Sequence, residues 1–152
     1  MGRDVILASM DSAPTAVGPQ MFLSALRAAV ARFETASRAS DSDATFVALF
    51  EALSWTVSLD ERLGCGSEPE LLGLRYARNA VHHLWADALE LTQGRSLPTG
   101  LPTMLAEWSW RATLPEPRTK RGRAEYVFHL AGRPARMTLD TIVTALSARL
   151  AA

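Results

Sequence analysis

Apolar residues recur at intervals of three and four along the first two thirds of this 152-residue chain, and that periodicity constrains the fold more than any other feature. Phe22, Leu26, Ala29, Val30 and Phe33 mark an amphipathic helix from about residue 19 to residue 38. Ser40-Asp41-Ser42-Asp43 breaks the pattern and supplies N-cap candidates. Phe46, Leu49, Phe50, Leu53, Val57 and Leu59 form the stripe of a second helix, which stops near Gly64. Ser67 or Glu68 before Pro69 starts a third, read from about residue 70 to residue 92 and ending near Gly94. Its inner stripe is Leu74, Val81, Leu84, Ala88 and Leu91.

Beyond residue 94 the pattern changes. Pro98, Gly100 and Pro102 mark a connection. Trp108 and Trp110 alternate within residues 105–114, as in a strand with both rings on one core-facing side. Residues 115–123 read as a polar loop, 125–130 as a strand, 131–133 as a tight turn and 134–137 as a return strand at an edge. Thr138 then caps a final helix through Ile142, Leu146 and Leu150. The expected architecture is mainly α: an N-terminal arm over residues 1–18, then one domain over 19–152. Within it, 19–93 is a helical bundle and 105–152 a small β-hairpin or sheet with a terminal helix.

Composition narrows the function classes. Hydrophobic residues make up 48%, enough for a real core at this length. Formal net charge is +0, so whole-molecule charge gives no prediction of nucleic-acid binding and any basic site is local. Positive charge is carried by arginine except at Lys120. Cys65 is the single cysteine, in a loop-like Gly64-Cys65-Gly66, and reads as an inert thiol. No 18-residue apolar run or signal-peptide core is present, so a cytoplasmic protein without membrane partners is expected.

Two of the three histidines fall in Arg78-Asn79-Ala80-Val81-His82-His83-Leu84-Trp85. At about 100° per residue, Asn79, His83, Asp87 and Glu90 lie opposite the buried stripe of a continuous helix. Arg78, His82 and Trp85 flank it, and Tyr76 shares the polar face. Histidine titrates near neutrality and serves as general acid or base, and arginine presents a planar fork matched to phosphate oxygens. On one helix Arg78 and His83 stand about 140° apart, so two chains are expected to be needed to bring them together. Asn79 and Asp87 are each four residues from His83 and are expected to orient it. Arg118, Lys120, Arg121 and Arg123 form a basic loop suited to an RNA backbone. His129 stands alone among apolar residues and reads as structural. His82, His83 and Asp87 are too sparse for a metal site.

The segment from Arg78 to Trp85 resembles the Arg–Asn–x–x–x–His–x–Tyr signature of HEPN domains, helical ribonucleases of toxin–antitoxin and anti-phage systems. The resemblance covers residues 19–93. It implies a HEPN-like bundle with the motif on a long helix, and a metal-independent endoribonuclease that uses no cofactor. It further implies RNA as substrate, a homodimer with a composite cleft, and an antitoxin or defence-system partner. Arg78, Asn79 and His83 take the catalytic positions; His82 has no counterpart in the signature, and His82, Trp85 and Asp87 are read as supporting from their places on the helix. Trp85 departs from the signature tyrosine and has no hydroxyl, so modification by nucleotide addition does not carry over. The alternative is a catalytically inactive HEPN-like module that binds nucleic acid or a partner protein.

Overall fold

The computed structural model describes residues 17–92 and 107–152. Most of the arm expected over 1–18 and the Pro98-Gly100-Pro102 connection lie outside these residues. The described chain is mainly α, with a two-stranded antiparallel sheet. Helix α1 (Pro19–Arg38) begins on a proline, where its missing N–H is no loss. It buries Leu23, Leu26, Ala29 and Phe33. Helix α2 (Ser42–Arg62) is capped by the Asp41 carboxylate, which accepts from the Ala44 N–H at 3.0 Å. The connection between them is only three residues, so α2 folds back along α1.

Helix α3 (Pro69–Ala80) is twelve residues long and stops well short of the expected residue 92. Val81, His82, His83 and Trp85 are indifferent helix formers. The chain gains more by burying Trp85, Ala88 and Leu89 and by pairing the next segment as a strand. A single 3-10 turn (Trp85–Asp87) leads into β1 (Leu89–Thr92), which pairs with β2 (Glu107–Trp110) in the register Leu89 with Trp110 and Leu91 with Trp108.

The tryptophans of β2 pack inward, as expected. Trp110 is fully buried, and its Nε1 donates to Thr138 Oγ1 at 2.8 Å. Trp108 is half-buried against Phe46, with ring centroids 4.9 Å apart.

The expected strand over 125–130 is helical instead. A short turn α4 (Arg123–Glu125) widens into a π-turn (Tyr126–Leu130), closed by the Ala131 N–H donating to Tyr126 O at 2.9 Å. Burial explains the choice. Tyr126 and Leu130, four apart, are buried, whereas Phe128 between them is 70% exposed. A strand would have placed all three on one face.

The expected return strand over 134–137 is also absent. Pro134 forms one isolated bridge to Ser109, and α5 (Ala135–Ala151) begins at the next residue. Thr138 is therefore inside α5 as a buried hydrogen-bond acceptor rather than at its cap.

The α4 and π-turn segment covers a face of α3. Gly73 permits the approach: a Cβ there would lie 3.0 Å from Tyr126 N. Gly122 combines φ +85° with a backbone so close that a Cβ would collide with the Leu72 carbonyl. Tyr76, expected on a polar face, is consequently buried against Tyr126, with ring centroids 5.7 Å apart.

Candidate functional site

The end of α3 gathers the candidate residues. Arg75, Arg78 and Asn79 stand at i, i+3 and i+4 and so share one helix face. The last turn of α2 supplies Asp60 and Glu61.

Asp60 is 2% exposed. It accepts from Arg75, from Arg149 Nη1 at 2.8 Å and from the Gly66 N–H at 2.7 Å. A buried carboxylate is tolerable only with such partners, and these tie α2, α3 and α5 to the 64–68 loop. Arg75 also donates to the Gly66 carbonyl, which fixes the direction of its guanidinium.

Arg78 and His83 meet within one chain. The Arg78 Nε donates to His83 Nδ1 at 2.8 Å, and Arg78 Nη1 donates to Glu61 at 2.6 Å. The expectation that one chain converges them poorly assumed a helix through both residues. Instead α3 ends in a left-handed cap. His82 has φ +49° and His83 φ +70°, and the His83 N–H donates to Arg78 O at 3.1 Å. That six-residue closure is the bond of a Schellman-type cap, which brings the side chains at its two ends together. The Arg–Asn–x–x–x–His spacing matches that closure. The motif thus straddles a helix terminus and departs from the long-helix placement implied by the resemblance.

Because His83 Nδ1 accepts from Arg78, its neutral ring carries the proton on Nε2, the tautomer set by that bond. His83 is exposed, and the Arg78 side chain is 28% exposed. The pair presents donors to solvent from two side chains of fixed relative position.

The supporting residues divide. His82 is exposed and shapes the backbone. Trp85 is 3% exposed and packs edge-on to Trp110 at 6.2 Å, so it belongs to the core and not to the site. Leu84, expected inside, is 62% exposed. Asp87 lies in the 3-10 turn with its backbone N–H donating to Leu84 O, and no hydrogen bond among the described residues joins Asp87 or Asn79 to His83. With the helix ended at Ala80, the four-residue spacing no longer places either beside the imidazole.

The basic loop is partly engaged. Lys120 lies 3.1 Å and Arg123 3.8 Å from Glu116. The Lys120 hydrogen bond, then its charge and that of Arg123, hold the Glu116 carboxyl below its usual range. Arg121 instead lines a cleft of about 230 Å³ with Cys65, Leu72, Arg75, Asn79 and Thr119. Two candidate groups that are far apart in sequence, Asn79 and Arg121, therefore share one cleft beside Arg78.

Glu61, Arg75 and Asp60 are site-building residues that the motif gave no reason to single out. Asp60 did carry a signal: it continues the stripe Leu53, Val57 at helical spacing, where an acid must find partners. His129 sits in the π-turn, half-buried, 3.5 Å from Glu70. Among the described residues, no three His, Cys, Asp or Glu side chains are grouped to hold a metal ion, and no helix is long and apolar enough to cross a membrane.

Comparison of the chain with protein-family models, with curated proteins and with solved structures finds no match.

Proposed function

We propose that the chain is a metal-independent endoribonuclease of the HEPN type, with Arg78 and His83 at its centre. The observation that supports this reading is the 2.8 Å bond from Arg78 Nε to His83 Nδ1 at an exposed helix end. RNA cleavage without metal requires a proton acceptor for the 2′-hydroxyl and donors for the charge that builds on the phosphate. As the free protein stands, Nδ1 is occupied. An incoming phosphate competes for the Arg78 fork, and the fork's departure frees Nδ1 to take the 2′-hydroxyl proton. Attack of the 2′ oxygen on phosphorus then forms a cyclic phosphate. The imidazolium returns its proton to the departing 5′ oxygen.

Glu61 holds Arg78 at the other side of its fork and positions it. Asn79 lines the adjoining cleft and faces the substrate there. The pair forms within one chain, so a homodimer enters this reading only through the resemblance, as do an antitoxin or defence-system partner and the cytoplasmic setting. A second reading is an inactive module that binds nucleic acid or a partner protein. The double restraint of Arg78 by Glu61 and His83 favours it, since such a pair can bind an anion without moving a proton.

The deciding experiment is cleavage of total RNA and tRNA by purified protein in EDTA, beside an Arg78→Ala/His83→Ala variant whose fold is checked by circular dichroism. Cleavage by the wild type, lowered by about 100-fold or more in the variant, is the expected result for loss of acid–base catalysis. Equal cleavage by both places the activity elsewhere. Binding of RNA without cleavage by either selects the inactive module.

A further inference from the structure

We propose that the cleft between α3 and the basic loop is a phosphate-binding subsite, distinct from the Arg78–His83 pair. It rests on the nucleic-acid reading for its biological ligand, though not for its chemistry. Three features of the cleft support it.

The first is its donor set. Arg121, Asn79, Thr119 and Arg75, whose side chains all carry N–H or O–H donors, line one concavity with Leu72 and Cys65. Among the described residues, no carboxylate lines it. The nearby acid, Asp60, is 2% exposed and already held by Arg75, by Arg149 and by the Gly66 N–H.

The second is preorganisation. Arg75 is held by Asp60 and the Gly66 carbonyl, so this wall of the cleft is already ordered and little rotamer freedom is lost there on binding. The loop opposite is set by Gly122, packed onto Leu72, and by the Arg121 N–H donating to Thr119 Oγ1 at 3.3 Å.

The third is a cation in reserve. Lys120 and Arg123 are matched to Glu116, whereas Arg121 has no ion-pair partner among the described residues. A planar fork outside any ion pair, on a residue that lines the cleft, matches phosphate oxygens better than a neutral group does. At about 230 Å³ the cleft is smaller than the ~300–1,000 Å³ of drug-sized sites, so it takes one such group. Asn79 follows Arg78 on α3, so an RNA strand seated here places the neighbouring phosphate toward the Arg78–His83 pair.

The test is an NMR titration of the isotope-labelled full chain with inorganic phosphate and, separately, with a short RNA. Arg121→Gln is the variant and Arg38→Gln, an exposed change on α1 outside the cleft and the basic loop, is the control. The expected result is saturable shifts of the Asn79 side-chain amide and the Arg121 Nε–H. About tenfold weaker affinity is expected in Arg121→Gln alone, with a salt slope reduced by about one. Absence of those shifts, or equal weakening by both substitutions, overturns the subsite. Phosphate binding in the cleft with RNA left unbound and uncleaved keeps the subsite and removes the ribonuclease reading. RNA cleaved with the same KM by wild type and Arg121→Gln does the reverse.

Discussion

His82 and His83 occupy the left-handed region at φ +49° and +70°, where a residue with a Cβ stands at a cost of about 1–2 kcal/mol. Glycine is the usual occupant of the first of these cap positions. His82→Gly is therefore expected to raise stability by about 1 kcal/mol, read as a higher denaturant midpoint at unchanged slope. Since the Arg78–His83 bond does not involve the His82 side chain, the same variant is expected to keep whatever RNA activity the wild type has. Loss of activity would move His82 from backbone shaping to the chemistry itself. Asp60 carries the opposite expectation. Asp60→Ala leaves Arg75 and Arg149 facing each other without their shared carboxylate, so a loss of about 3 kcal/mol is expected. That is the low end for a broken buried pair, because both arginine side chains keep roughly a fifth of their surface in water. Equilibrium urea unfolding measures it, and a change under about 1 kcal/mol would show that the network is dispensable.

At the scale of elements, α5 and the sheet are joined through one buried polar contact, the Trp110 Nε1 donor on Thr138 Oγ1. Thr138→Val preserves shape and adds apolar surface, yet strands that indole N–H in the core. A loss of about 1–3 kcal/mol is expected by thermal or urea unfolding. An unchanged midpoint would mean that the N–H finds another acceptor. Secondary structure here is set by burial more than by residue preference. The run Tyr126-Val127-Phe128 favours a strand by composition. It coils because only Tyr126 and Leu130 have a core to enter, and two glycines, Gly73 and Gly122, let it approach α3 closely enough. At the end of α3 burial acts in the opposite direction. Nothing at residues 80–84 forbids a helix, and the turn is imposed by Trp85, Ala88 and Leu89 entering the core.

The whole molecule closes around Tyr126, whose hydroxyl donates to Arg111 O at 2.5 Å while its ring packs on Tyr76 and Trp110. Burial first, then the neighbouring Tyr76 and Glu90, push the phenol well above its ordinary value near 10. The core accepts only the neutral phenol, so the folded state keeps the proton to higher pH than the unfolded chain does. Its contribution is complete below about pH 10 and is lost as the pH rises beyond it. Melting temperature is expected to hold level to about pH 9.5 and then fall. Tyr126→Phe should be less stable at about pH 8, having left Arg111 O without its donor, but should fall less steeply between about pH 10 and 11. Parallel curves for the two proteins would place the alkaline loss in other groups.

How much was legible differs by element for a physical reason. The 3–4 periodicity of Phe22, Leu26, Ala29 and Phe33, and of Leu49, Leu53 and Val57, determined α1 and α2, because each long apolar stripe has one way to be buried. A cap within Ser40-Asp41-Ser42-Asp43, Pro69 as a start and Trp110 as a core residue were legible from local chemistry, and the structure selects Asp41 among the four. The mainly α class followed from those alone. Arg78, Asn79 and His83 stood out in the sequence as candidates, but their geometry did not. Where α3 ends depends on Trp85, Ala88 and Leu89 finding a core and on β1 finding β2, contacts made with residues 107–110. Only the tertiary structure therefore decided that Arg78 and His83 meet in one chain, that Trp85 is buried, and that Arg121 shares a cleft with Asn79. Local sequence sets which backbone states are cheap, and competition for a single core sets which of them is occupied.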